Sequence, residues 1–196
     1  SNAPSLIYEE GDIIKRALRD IYDNDTSYIY IDGNDGYQKA KLFIKELIPK
    51  SKKFLKKHKS KVPLFHEAGI EKELNNIFDA VVRLKSGGYL VINPTEALVA
   101  IDINSGQSIK ASNIEKTALN TNLEAAEEIA KQLKLRDLSG LIVIDFIDMV
   151  NFFNRRLVEK KMRESIRKDR ARIQVGKISP FGLLEMTRQR LREGSI

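Results

Sequence analysis

Leu98-Val99-Ala100-Ile101-Asp102-Ile103-Asn104 and, further on, Leu141-Ile142-Val143-Ile144-Asp145 decide how this chain folds. Each is a short apolar run of the kind found in a buried strand, and each run delivers an aspartate at its end. Between them, Ser112-Asn113-Ile114-Glu115 has the form of a capping box, with Ser112 as N-cap and Glu115 reaching back. Leu119, Leu123, Ala126, Ala130 and Leu133 then follow at spacings of four and three, which makes one face of a helix apolar. Strand, crossover helix and strand form a βαβ unit, and that connection requires parallel strands. Asp102 and Asp145 are therefore expected at one carboxyl edge of a sheet.

On the carboxyl side, a helical pattern runs from 152 to about 169, with Val158, Met162 and Ile166 on one face and Arg156, Lys160, Arg163 and Arg167 largely on the other. From Arg155 to Arg192 there are thirteen Lys/Arg against four Asp/Glu, in a chain of net charge +7, so the remainder is slightly acidic. Such a patch, continued by Arg170 and Arg172, suits a polyanion whose neutralised phosphates release counterions. A solvated helix face fits the charge run equally well.

On the amino side, residues 80–84 and 89–92 flank Ser86-Gly87-Gly88 and read as a β-hairpin. Before them the pattern predicts a helix over 12–22, a strand over 28–31 and a break at Gly33-Asn34-Asp35-Gly36. A helix carrying Ala40, Phe43, Ile44 and Leu47 follows, then a short exposed strand around 53–57 and a helix over 70–78. The change of texture places a domain boundary near residue 79. The class is α/β, with mixed sheets and flanking helices.

The 196 residues contain no cysteine, which excludes disulfides, thiol nucleophiles and cysteine-ligated zinc within them. His58 and His66 lie in a lysine-rich stretch and beside Pro63-Leu64-Phe65, and are assigned surface or packing roles rather than acid–base catalysis. No apolar run reaches the length of a membrane span and no secretory leader is visible, so a cytoplasmic protein is expected. None of Met149, Met162 and Met186 opens the chain, and Ser1-Asn2-Ala3 reads as the scar of a cleaved tag, which points to a piece of a longer protein.

Open α/β sheets bind ligands outside the carboxyl ends of their strands, and Mg²⁺ takes a few carboxylate oxygens while keeping room for water and phosphate. Asp102 and Asp145 suit that role. Strand-end aspartates also cap loops and helices, and spacing alone leaves the two assignments level. Asn104, ahead of Ser105-Gly106, has the spacing of a turn residue, although its amide also suits a phosphate oxygen or a water. Asp148 is assigned to the cap of the next helix ahead of a third carboxylate at the site. Phe146, Phe152, Phe153 and Phe181 are candidate stacking surfaces for bases, with core packing the assignment for most.

Ser86-Gly-Gly-Tyr-Leu-Val-Ile-Asn-Pro-Thr-Glu-Ala-Leu-Val-Ala-Ile-Asp-Ile-Asn-Ser105, Asn120-Thr-Asn-Leu-Glu-Ala-Ala-Glu127, Leu141-Ile-Val-Ile-Asp-Phe-Ile-Asp-Met149 and Asp169-Arg-Ala-Arg172 together resemble the ribonuclease E/G family. The likeness extends over nearly the whole chain and is close from Leu84 to Arg192. Residues 1–79, with Tyr8-Glu9-Glu10 and Val62-Pro63-Leu64-Phe65, are similar to part of the family's RNase H-like subdomain, and residues 80–196 to its DNase I-like catalytic subdomain. The first part shows no cluster of acids and is read as structural.

The resemblance implies that Asp102 and Asp145 ligate a catalytic Mg²⁺, that Asn104 helps position the scissile phosphate, and that Arg170 and Arg172 contact RNA. It implies hydrolysis of single-stranded, AU-rich RNA to 5′-phosphate and 3′-hydroxyl ends, in mRNA decay and in rRNA and tRNA processing. The family's oligonucleotide-binding barrel and 5′-end sensor lie upstream, and its zinc-binding cysteine pair lies beyond Ile196. Structural zinc, a tetramer, an RNA-degradation complex and peripheral inner-membrane association are therefore expectations for the full-length protein. The rival readings are a non-catalytic RNA-binding or assembly module using the basic helix, and a metal-dependent nuclease acting on DNA.

Overall fold

The computed structural model describes residues 13–22, 26–47, 54–106 and 114–190. The chain divides into two compact units, residues 1–74 and 75–196. The first holds α1 (Ile13–Ile21), β1 (Ile29–Ile31), α2 (Asn34–Leu47), β2 (Leu55–Lys57) and α3 (Leu64–Glu67), with β1 and β2 paired in parallel. Ala40 and Ile44, one turn apart on α2, are buried as their spacing predicts. The Gly33-Asn34-Asp35-Gly36 run, expected to break the strand, follows the end of β1 at Ile31, and Asn34 to Gly36 already belong to the first turn of α2. Gly33 makes the change of direction at φ +80°, with its N–H held by Asp32 Oδ1 at 2.8 Å, and Asp35 sits where a helix start favours negative charge.

After α4 (Ile70–Asn76), the second unit is built on one sheet. Its strands are β3 (Val81–Arg83), β4 (Tyr89–Pro94), β5 (Val99–Asn104), β6 (Gly140–Asp145), β7 (Ile173–Ile178) and β8 (Leu183–Arg188), in the order β3-β4-β5-β6-β8-β7. The helices are α5 (Ile114–Leu135), between β5 and β6, and α6 (Phe152–Ile166), between β6 and β7. Among these strands β5 and β6 alone run parallel, Val99 opposite Ile142 through to Asp102 opposite Asp145. The βαβ expectation holds, with α5 as its crossover.

Alternation along the strands shows which face is covered. Leu90, Ile92, Ile101, Ile103, Ile142, Ile144, Leu184 and Met186 join one core with Ala125, Ala126, Ile129 and Leu133 of α5 and Val158 and Met162 of α6. Their neighbours Ala100, Asp102, Asn104, Leu141, Val143 and Asp145 lie on the opposite face, which α5 and α6 leave open. β5 and β6 are thus buried on one side, not on both as their apolar runs suggest. On α5 the buried stripe includes Ala118 and Ala125, while Leu119 and Leu123 pack at its margin. No helix of the described residues is long and apolar enough to cross a membrane.

The hairpin of β7 and β8 has no counterpart in the sequence reading. The helix expected to continue to about 169 ends at Ile166, and Asp169-Arg170-Ala171-Arg172 is a turn in which the Ala171 N–H donates to Asp169 Oδ1 at 2.9 Å. Arg170 and Arg172 therefore do not extend the helix face. Asp169 also receives Arg188 Nε at 2.8 Å, and Arg188 Nη1 reaches Asp137 at 2.8 Å and the Leu138 carbonyl at 3.0 Å. The Arg188 side chain is 0% exposed. Burial pulls its pKa down, but the hydrogen bonds to Asp169 and Asp137, with their charges, outweigh burial and raise it.

Removing one partner of a buried ion pair strands the other. Arg188→Met should lower the stability of the second unit by about 3–5 kcal/mol, seen as an earlier urea midpoint. Adding Asp169→Asn should recover part of that loss. An unchanged midpoint for the single variant would contradict the structural role of the pair.

Candidate active site

Asp102 and Asp145 are direct cross-strand partners near the carboxyl ends of β5 and β6, both exposed on the open face. Adjacent strands lie about 4.8 Å apart, so the two carboxylates share one small volume. Asn104, two residues on and hence on the same face, donates from Nδ2 to Asp102 Oδ2 at 2.8 Å. It is the last residue of β5 rather than the turn residue its spacing suggests. The structure thus brings Asp102, Asn104 and Asp145 together.

Asp148 is not the cap of α6. That role belongs to Asn151, whose side chain accepts the Phe153 N–H at 2.8 Å. Asp148 instead lies near Asp145: a Cβ placed on Gly182 would meet Asp148 Oδ1 at 3.1 Å and Asp145 Oδ1 at 4.0 Å. Gly182 has φ +80°, so both backbone conformation and close approach require glycine there. Partial burial, followed by the charges of Asp102 and Asp148, pushes the Asp145 carboxyl above the usual carboxylate range.

These features fit a hard cation. Like charges set opposite one another on neighbouring strands oppose folding, and a bound cation would relieve the repulsion. Among the described residues no group of three or more His, Asp or Glu is placed to enclose an ion. Two carboxylates with open solvent beside them suit Mg²⁺, which retains water and takes phosphate oxygens.

α5 holds the loops around this edge through polar side chains that sequence periodicity does not pick out. Buried Asn122 accepts the Ile147 N–H at 3.0 Å and donates to the Ile147 carbonyl at 2.8 Å. The Glu124 carboxylate accepts the Ser86 N–H at 3.1 Å, which ties in the β3–β4 hairpin. The capping box expected between Ser112 and Glu115 lies in part outside the described residues; within them Glu115 has other partners. Its carboxylate takes the Asn154 amide at 2.7 Å and the N–H groups of Val150 and Asn151 at 3.0 and 3.1 Å. The Asn154 bond first, then those of Asn151 and Val150, hold its carboxyl below the usual range.

Other candidates lie elsewhere. Ile173 and Gly140 both pair with Arg188, so Arg172 stands near the amino end of β6, about 17 Å along the strand from Asp145. Arg170 and Arg172 are not part of the acid cluster. His58 bonds the Val62 carbonyl and His66 pairs with Glu71, both in the first unit. Phe146 is core, whereas Phe152, Phe153 and Phe181 are exposed, against the core assignment for most of the four.

Fold and geometry define an α/β domain that presents two in-register carboxylates and an amide at one sheet edge. The chain belongs to the Ribonuclease E/G family, whose model matches residues 1–191. It is 53% identical over 189 residues to "Ribonuclease E" of Haemophilus influenzae, covering 96% of this chain and 20% of that protein. It is 51% identical over 190 residues to "Ribonuclease E" of Escherichia coli, covering 96% and 18%. To "Ribonuclease G" of Escherichia coli it is 40% identical over 187 residues, covering 95% and 38%. The chain thus spans about a fifth of the ribonucleases E just named.

Two consequences follow from this geometry. A raised carboxyl pKa contributes stability below the unfolded pKa and loses it as pH rises through the folded value. Asp145→Asn removes that loss, so the variant should unfold at slightly higher temperature at neutral pH. The gain should stay under about 1 kcal/mol because the side chain is exposed, and it should vanish on acidification. Asn122→Ala should instead destabilise by about 1–3 kcal/mol, since both polar groups of Ile147 lose their partner. Thermal unfolding across pH checks both signs.

Proposed function

We propose that this chain is the metal-bearing part of an endoribonuclease that cuts single-stranded, AU-rich RNA to leave 5′-phosphate and 3′-hydroxyl ends. The observation that carries the reading is Asp102 opposite Asp145 in register, with Asn104 bonded to Asp102. The matching family and the names of the relatives supply RNA as the substrate. In the same reading residues 1–79 are the structural RNase H-like part and residues 80–196 the catalytic part.

Asp102 and Asp145 would hold Mg²⁺, which supplies Lewis-acid polarisation of a phosphoryl oxygen and a more acidic bound water. The chain's own residues do the rest by placement. Asn104 fixes one Asp102 oxygen and keeps its carbonyl oxygen for a water or a substrate hydroxyl. Gly182 leaves space beside Asp145 and Asp148 that any side chain would fill. Arg170 and Arg172 serve a stretch of RNA away from the cut, given their position at the other end of the strands. The biological setting that follows is mRNA decay and the processing of rRNA and tRNA, in a tetramer whose structural zinc lies outside this chain.

A second reading, an RNA-binding or assembly module, is favoured by the exposed basic side chains Arg156, Lys160, Arg163 and Arg167 on and just past α6. The two separate in one assay. Full-length protein should cleave a single-stranded RNA oligonucleotide only with Mg²⁺, and Asp102→Asn or Asp145→Asn should each slow cleavage by about a thousandfold or more, the equivalent of several kcal/mol. Salt-sensitive binding without cleavage would favour the module, and undiminished cleavage by both variants would remove the metal assignment.

A further inference from the structure

The open face of the sheet continues past the acid pair toward β3. Strand pairing sets Tyr89 of β4 opposite Asn104, and Arg83 of β3 opposite Tyr89. Arg83, Tyr89 and Asn104 therefore form one row across three strands. The adjacent row is Val81, Val91, Asp102 and Asp145. The side on which Arg83 and Tyr89 lie is fixed by their neighbours: Val82 packs against the core and Leu90 is fully buried, so the flanking residues face the other way. Tyr89 is 38% exposed, and Arg83 is exposed as well.

Distances across the sheet follow from the pairing. Tyr89 is one strand from Asn104, about 5 Å, and Arg83 is two strands away, about 10 Å. From β6 to β3 the groups thus run carboxylate, carboxylate with amide, aromatic ring, guanidinium. A strand of RNA laid across the sheet with its reacting phosphate at the acid pair presents a base and then a further phosphate in that order. The ring matches the base, because every base has a π-face, and the guanidinium matches the phosphate. The small side chain of Ala100, and the packing of α5 and α6 against the other face, leave the approach open among the described residues of the second unit.

We propose that Tyr89 and Arg83 form a substrate track beside the acid pair. The base next to the scissile phosphate stacks on the Tyr89 ring, and Arg83 holds a backbone phosphate further along. This rests on the reading that the acid pair acts on RNA, and it adds a physical source for single-strand selectivity: a duplex keeps its base faces stacked on each other and has none to offer the ring. A basic protein partner is disfavoured by Arg83, while an RNA strand is charge-complementary to it.

The test uses full-length protein carrying Asp145→Asn, so that RNA binds without being cut, with fluorescence anisotropy of a short single-stranded oligonucleotide as readout. Tyr89→Leu should weaken binding about tenfold, the effect of losing one stacking platform, and Tyr89→Phe should retain it. An abasic nucleotide beside the cleavage position should reproduce the loss with Tyr89 present and add nothing to Tyr89→Leu. Arg83→Gln should reduce the salt dependence of binding by about one phosphate contact. The abasic substitution needs no change in the protein, so it decides even if a variant fails to fold. Equal affinity for intact and abasic RNA, with cleavage by the protein lacking Asp145→Asn intact, overturns the track and leaves the endoribonuclease reading standing. Neither binding nor cleavage of RNA by that protein overturns both.

Discussion

The parallel pairing of β5 with β6 sets Asp102 directly against Asp145, and the second unit is organised around keeping that register. Like charges at such a position oppose folding by roughly 0.2–1 kcal/mol, and partial burial adds to the difficulty of ionising Asp145. Ile101 and Ile144 supply the counterweight, each fully buried one residue before its aspartate. A slip of one residue would turn such a side chain to the open face, at about 1.5–3 kcal/mol each. The apolar face therefore decides the register, and the carboxylates are carried to the edge by it.

The loops beyond the edge are held by a different means. α5 crosses from β5 to β6 and presents Glu115 and Asn122 to the loop between β6 and α6, and Glu124 to the β3–β4 hairpin. A loop fixed only by its covalent ends would place Asp148 and the hairpin tip loosely, whereas these bonds satisfy backbone groups and fix where each loop runs. At the opposite end of the sheet Arg188, Asp169 and Asp137 lock β8 to the turns after α5 and α6. Polar contacts thus position both edges, while the apolar layer between them supplies stability.

Strands β5 and β6, the crossover helix between them and the acid pair were legible in the sequence because apolar periodicity and chain connectivity alone specify them. Asn104 was legible as a residue of interest but not in its role, since its partner is set by strand pairing. The bonds of Glu115 to Val150, Asn151 and Asn154 were not legible, because the capping-box pattern is local and that segment lies far along the chain. Asn122 carried no signal of its own: a polar residue in an amphipathic helix looks solvent-facing until the loop it binds is in place. β7 and β8 were hidden by Gly176 and the register shift beside it, by the buried charge of Arg188 where an apolar residue would mark a strand, and by a helical pattern that ran on into the turn at Asp169. The resemblance to the family supplied the metal and RNA expectations that spacing by itself left level with simple capping.

Two carboxylates, an amide and a glycine-cleared approach stand together at a sheet edge that is costly to build, a cost that a bound cation would offset. We propose that this cation is divalent and is held by Asp102 and Asp145. Paramagnetic broadening of backbone amide signals by Mn²⁺ in place of Mg²⁺ tests this most directly. The amides of Ile103, Asn104 and Phe146 should broaden first, those of Ile173 at the far end of the strands last, and the effect should disappear in the Asp102→Asn/Asp145→Asn protein. Broadening centred elsewhere, or persisting in the double variant, would contradict it.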